Sequence, residues 1–459
     1  MQPPSSYQPP LPLLPHQRIG PWFRSRRRLT KIGLGWGALV VVLLLYACAQ
    51  AVYGSTLSPA PAATSGPQVT RTTAPILQAT AVPTLASTPT LMPTSTPTPT
   101  AIANAMPTES SQQIYWGAAI SGTTYGPNYS DPPWDTKTWD LFESHTGKNF
   151  SILHWGFPWY SSVSWPQGYY PFVSSLLERT RSRGAIPLID WASMDSDNAS
   201  VASQPAFALR NIVNGASYTF GGQTFDSYVT QWAQAAKAWG HPFFLRFDWE
   251  MNGWWQFPWA TALDPTSGNA INSNTPQDYV NAWRHVHDIF TKVGATNVSW
   301  VWCPNISSNG TIPLSQLYPG NTYEDWVCLD GYNKDPNTWQ TFAQVYSGSS
   351  YNGNHNSYAE ITSVAPSKPL MIGESASIEA GDGGAKKAAW ITNALQTQLP
   401  KNYPKIKAFV WFNWNADPGS TYVIESSAQA KSAFASSIAS SYYATNNFST
   451  LNTSPIPPI

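Results

Sequence analysis

Eight short apolar runs, each followed by room for a returning helix, limit this chain of 459 residues more than any other feature. They begin near Ile114 (IYWGAAI), Ser151 (SILHW), Ala185 (AIPLID), Phe243 (FFLRFDWE), Val298 (VSWVW), Trp326 (WVCLD), Pro369 (PLMIGE) and Ile406 (IKAFVWFNW). Roughly 30 to 60 residues separate successive starts, enough for a helical crossover between parallel strands. Apolar residues at helical spacing fill several of the gaps, as in Tyr228–Trp239, Asp278–Val293 and Ala385–Leu395. The runs are nearly continuous in apolar character, as strands buried on both faces require. The pattern predicts an α/β fold, a (β/α)8 TIM barrel over residues 111–447. A doubly wound open sheet is the alternative, but no glycine-rich phosphate loop follows the first run.

A long preamble precedes the barrel. Residues 1–31 are Pro-rich and basic, with Arg24, Arg26, Arg27, Arg28 and Lys31 towards their end. The apolar run 32–53 carries no charge, and about 20 such residues span a bilayer core of roughly 30 Å. The basic cluster predicts that residues 1–31 stay in the cytoplasm. The run is then a transmembrane signal-anchor, with the barrel outside the cell, or secreted if the segment is cleaved. Residues 54–110, rich in Pro, Thr and Ser, are expected to be a disordered linker, and residues 448–459 a disordered tail. Seven basic residues precede the first acidic one, Glu109, leaving 18 basic against 25 acidic residues beyond it. An acidic body argues against nucleic acid as a partner; the membrane, through one helix, and a polysaccharide are the expected partners of a monomer.

Barrel chemistry gathers at the C-terminal ends of the strands. The fourth run ends in Arg246-Phe247-Asp248-Trp249-Glu250-Met251-Asn252-Gly253, and the seventh in Gly373-Glu374-Ser375. Glu250 and Glu374 stand 124 residues apart, about three repeats, which sets them obliquely across the mouth of an eight-membered ring. Glycoside hydrolysis needs two such carboxylates: one protonates the leaving oxygen while the other stabilises or attacks the anomeric carbon. The 23 tryptophans exceed what a core is expected to need. His154 and Trp155 end the second run, Trp254 and Trp255 follow Glu250, Trp302 ends the fifth, and Trp411 and Trp414 lie on or after the eighth. Flat indoles cover the C–H faces of sugar rings with few rotatable bonds.

These stretches resemble glycoside hydrolase family 26, a group of retaining (β/α)8 glycosidases that includes β-mannanases. The resemblance is carried by 244–255, by Val298-Ser299-Trp300-Val301-Trp302-Cys303-Pro304-Asn305, by 318–333 and by Pro369-Leu370-Met371-Ile372-Gly373-Glu374. It implies Glu250 as general acid/base and Glu374 as nucleophile. Arg246 matches the family arginine beside the nucleophile, and Tyr332 the tyrosine that hydrogen-bonds it. Trp411 would form the floor under the sugar at the cleavage point, and Trp249, Trp254, Trp255, His154, Trp155, Trp302 and Asn305 complete the expected substrate contacts. The family's mannan-cleaving members usually have His where Trp249 stands, and Trp cannot supply the same two-nitrogen hydrogen bonding. The expected function is a retaining endo-β-glycanase on a plant-type polysaccharide, β-mannan first, with mixed-linkage β-glucan and β-1,3-xylan as alternatives. A non-catalytic surface carbohydrate-binding barrel is the reading from another class.

No His and carboxylate residues recur at a metal-binding spacing, so neither a metal nor a cofactor is expected. Asp330 is expected to serve core hydrogen bonding, while Asp190 and Asp248 are candidates for lining the site. Cys303 and Cys328 fall on neighbouring strands, where aligned positions rarely suit a disulfide, and are expected to stay unpaired.

Overall fold

The computed structural model describes residues 113–459 apart from 165, 200, 255–256 and 416–418. The basic segment 1–31, the apolar run 32–53 and the linker 54–110 lie outside the described residues. Among those described, no helix is long and apolar enough to cross a membrane.

All eight runs are strands: β1 (Tyr115–Ile120), β2 (Ile152–Ser161), β3 (Ile186–Asp195), β4 (Phe243–Phe247), β5 (Val298–Trp302), β6 (Trp326–Asn333), β7 (Leu370–Ser377) and β8 (Ile406–Asn413). They pair in parallel in sequence order, and β1 pairs with both β8 and β2, closing the barrel. Gly117 permits that closure, because a Cβ there would lie 2.7 Å from the Cβ of Ile152.

The outer layer comprises α1 (Thr136–Thr146), α2 (Ser174–Ser182), α3 (Phe225–Trp239), α4 (Pro276–Val293), α5 (Ser357–Val364), α6 (Ala385–Asn393) and α7 (Ala428–Ile438), with shorter helical pieces between them. Both α3 and α4 begin earlier than their apolar spacing suggests, because polar caps set their starts. The Thr224 side chain accepts from Ser227 N, and Thr275 with Asp278 forms a reciprocal capping box. Between β5 and β6 the chain makes only a 3-10 turn, Leu314–Gln316, where the other crossovers have α-helix.

Indoles fill the space between strands and helices. Trp191 of β3 stacks on Trp232 of α3 at 4.6 Å, Trp300 of β5 meets Trp283 of α4 at 5.8 Å, and Trp411 of β8 meets Phe434 of α7 at 5.0 Å. At least eleven tryptophans are under 2 % exposed. The core therefore absorbs much of the tryptophan that strand-end position alone would assign to sugar contact.

Two parts of the chain differ from what the sequence predicts. Residues 448–459, expected to be disordered, are held against the barrel. Ile456 is buried, its N–H donates to Ser299 Oγ at 2.8 Å, and its carbonyl accepts from Trp326 Nε1 at 2.8 Å. Phe448, Leu451 and Ile459 pack against the same core and the Tyr115 hydroxyl donates to Pro457 O at 2.9 Å, so apolar anchors along the segment order it. Cys303 and Cys328, expected to stay apart, form a disulfide. The β5–β6 register pairs Trp302 with Val327, which sets the next two residues opposite each other at 4.3 Å between Cα atoms.

Candidate active site

The site begins with a buried cation. Arg246 extends from β4 into the barrel with no solvent exposure. Its Nε lies 3.0 Å from Asp190 Oδ1, and its Nη2 lies 2.7 Å from Asp330 Oδ2 and 3.1 Å from Glu374 Oε1. Burial alone would lower the guanidinium's pKa, but the surrounding carboxylates outweigh it and the net shift is upward. Asp330 is pushed well above the usual carboxylate range, chiefly by burial and against the pull of Arg246. Asp190 also lies 2.9 Å from His154 Nε2, so the cluster runs from β2 to β7.

Glu374 owes its aim to a bulge. On β7, Ile372 pairs with Leu329 and Glu374 with Asp330, leaving Gly373 as the extra residue. A Cβ at Gly373 would lie 2.5 Å from Cys328 Sγ, 2.6 Å from Arg246 Nη1 and 2.8 Å from Asp330 Oδ1, so only glycine fits. The other Glu374 oxygen accepts a hydrogen bond from the Tyr332 hydroxyl. Arginine and tyrosine together fix both carboxylate oxygens.

Glu250 sits just past β4, where the backbone leaves the strand sharply. Asp248 and Glu250 have φ of 42° and 53°, in the left-handed region that costs non-glycine residues energy. Hydrogen bonds stabilise the turn: Glu250 N–H donates to Cys303 O at 2.7 Å, and Ser193 donates to Asp248 from its N–H at 2.8 Å and its hydroxyl at 2.6 Å. Asn305 Nδ2 donates to Glu250 Oε1 at 2.8 Å. Asn305 is in turn clamped by Asn252, with paired bonds of 2.9 and 2.8 Å. One oxygen each of Glu250, Asp330 and Glu374 lie within 4.8 Å of one another.

Three acidic or sulfur-containing groupings in this region have metal-ligand proximity. Arg246 already supplies positive charge to the carboxylates of two of them, and the sulfurs of the third are bonded together.

The structure brings Glu250, Glu374, Arg246, Tyr332, Asn305 and His154 together. Trp155 and His154 line one depression with Trp134, Asp131 and Trp414. Trp254 is 41 % exposed beyond Glu250, and Trp255 lies outside the described residues. Three expected substrate contacts are instead core residues with no exposure: Trp249, Trp302 and Trp411. Trp249 packs between Arg246 and the Phe257–Trp259 pair, Trp302 packs on Tyr318, and Trp411 faces α7. Strand alternation explains the last case. Phe412, not Trp411, meets Tyr332 at 5.6 Å, and Trp414 is on the same alternate set. Asp248, a candidate for lining the site, is buried as well, and burial pushes its pKa well up. Asp190, a candidate for lining the site, joins the Arg246 cluster; Asp330, expected only for core hydrogen bonding, stands in that cluster too, and Asn252 is legible in the sequence only as part of the Trp-Glu-Met-Asn-Gly stretch.

The indoles offer a direct test. Trp414→Ala should raise KM about tenfold, from the loss of one stacking platform worth about 1–1.5 kcal/mol. Trp411→Phe should leave KM within twofold and lower the melting temperature. Michaelis kinetics with thermal melts separate the two; the opposite assignment of effects would return Trp411 to the substrate.

Known proteins share this architecture. The family profile described as Glycosyl hydrolase family 26 matches residues 205–367, which includes Glu250 and ends before Glu374. Endoglucanase H of Acetivibrio thermocellus is 33% identical over 305 residues, 65% of this chain and 28% of that protein. The chain thus spans well under half the length of this curated relative. The solved structure of the YdhT protein from Bacillus subtilis matches with a TM-score of 0.50 at 18% identity, covering 72% of this chain and 87% of that one. That likeness concerns the barrel fold.

Proposed function

The chain belongs to glycosyl hydrolase family 26, and from that premise we propose that it hydrolyses a β-linked polysaccharide internally by double displacement. Glu374 attacks the anomeric carbon while Glu250 protonates the departing oxygen. Glu250, now a carboxylate, then takes a proton from water, and that water displaces Glu374 from the sugar. One observation carries this reading: an oxygen of Glu250 and one of Glu374 lie within 4.8 Å of each other. Carboxyl groups about 5 Å apart suit attack by one of them, whereas inverting enzymes need roughly 6.5–9.5 Å to admit a water. Arg246 and Tyr332 hold the attacking carboxylate; Asn305 orients the acid. A lapsed, binding-only barrel would have no use for this complete set.

The substrate we propose is a β-glucan, ahead of the β-mannan that the family resemblance first suggested. The name of the 33% identical relative, Endoglucanase H, supports this. So does Trp249, a buried indole where mannan-cleaving members usually have His. The barrel works outside the cell, tethered by the apolar run 32–53 or released from it. A buried disulfide suits such an oxidising compartment.

Proton NMR of a β-gluco-oligosaccharide digest tests the chemistry. The β-anomer of the new reducing end should appear first and mutarotate later; the α-anomer appearing first would end the proposal. Reducing-end release across lichenan, barley glucan, mannan, galactomannan and β-1,3-xylan tests the substrate.

A further inference from the structure

The disulfide lies against Asp330, which in turn stands beside the paired carboxylates. Cys303 and Cys328 are both fully buried, and Asp330 Oδ1 lies 3.3 Å from Cys303 Sγ and 3.9 Å from Cys328 Sγ. Cys303 directly follows β5 and Cys328 lies within β6, and each of these segments holds one half of the pair. On the β5 side, Cys303 O takes the Glu250 N–H at 2.7 Å, and Asn305, two residues on, binds the Glu250 carboxylate. On the β6 side, Asp330 and Tyr332 follow Cys328 by two and four residues. Asp330 pairs with Arg246, and both Arg246 and Tyr332 hold Glu374.

The regular β5–β6 ladder is short. Its parallel pairing covers Val301↔Trp326 and Trp302↔Val327 only. Beyond it, Asp330 N donates to Pro304 O at 3.1 Å and Ile306 N to Asp330 O at 2.9 Å. The connection from β5 to β6 also lacks the α-helix that braces other crossovers. At this junction the covalent bond adds what the ladder and the helix layer do not.

We propose that the Cys303–Cys328 disulfide is a positioning element for the acid/base, fixing the end of β5, which carries Glu250's anchors, against the strand β6 that serves Glu374. The proposal rests on the catalytic reading above and adds that the cross-link sets where Glu250 stands relative to the nucleophile. Releasing the link frees the β5 side, so the acid loses its place while Glu374, held by Arg246 and Tyr332, keeps its own.

Leaving-group dependence separates this role from general stabilisation. Departure of 2,4-dinitrophenolate needs no proton, whereas departure of a sugar does. For Cys303→Ala/Cys328→Ala, kcat/KM on lichenan should fall about tenfold. On 2,4-dinitrophenyl β-cellobioside it should stay within twofold, both measured well below the melting temperature. If that pair does not fold, wild-type chain made in a reducing cytoplasm, with both thiols verified by alkylation and peptide mass, supplies the same comparison against the oxidised protein. Equal losses on both substrates, or no loss on either, overturn the proposal, as does finding both thiols free in active protein produced under oxidising conditions. An oxidised wild type inert on both substrates sinks the catalytic reading itself.

Discussion

Replacing Glu374 with Ala should reduce polysaccharide hydrolysis by at least about four orders of magnitude, equivalent to about 5.5 kcal/mol of lost transition-state stabilisation. The fold should survive, because Arg246 keeps Asp190 and Asp330 as partners. The shortened side chain leaves space on the α-face of the sugar, and azide can enter it. With Glu250 still able to protonate the departing oxygen, azide should restore turnover and yield an α-glycosyl azide. Glu250→Ala should behave in the complementary way. An activated aryl glycoside still glycosylates Glu374, azide then displaces that carboxylate, and the product is a β-glycosyl azide. NMR of the two azides assigns each role, and interchange of the two anomers would swap the residues. Undiminished hydrolysis by the Glu374 variant would remove the mechanism altogether.

Arg246→Met should give the second largest effect, on stability as well as rate. The side chain is fully buried, and its removal leaves Asp190, Asp330 and Glu374 without their shared cation. Removing one partner of a buried ion pair costs about 3–5 kcal/mol, because the remaining charge stays desolvated. In a domain of this size that lowers the melting temperature by on the order of 10 °C. Activity should fall at least about a hundredfold, since the nucleophile loses the group that fixes one of its oxygens. Arg246→Lys keeps the charge but offers a point where a planar fork is needed, so it should recover some stability and little rate. Calorimetry paired with kcat/KM checks both; a melting temperature unchanged in the Met variant would mean the cluster is not held by this cation.

The strands were legible because each is apolar on both faces, a pattern that survives without knowing its register. Glu250 and Glu374 were legible for the same reason: they follow such runs directly. Which way a strand-end side chain points was not legible. Trp411 and Trp414 look interchangeable in the run that ends β8, yet one meets α7 and the other lines the depression beside His154. The bulge at Gly373 shifts alternation by one residue, and only the packing of Cys328, Arg246 and Asp330 around it explains why it occurs there. Trp249 and Trp302 show how an aromatic-rich core imitates a sugar platform in one dimension. The Cys303–Cys328 bond depends on the register and close approach of β5 and β6, which spacing does not specify.

The backbone twist at Glu250 also sets two kinds of selection against each other. A left-handed φ of 53° at a residue with a β-carbon costs on the order of 1–3 kcal/mol in every folded molecule, working or idle. Glycine would relieve it and abolish the acid. A variant library sorted only for survival of heat should therefore accumulate inert barrels at this position, and recovering working ones demands a screen that rewards turnover at every round.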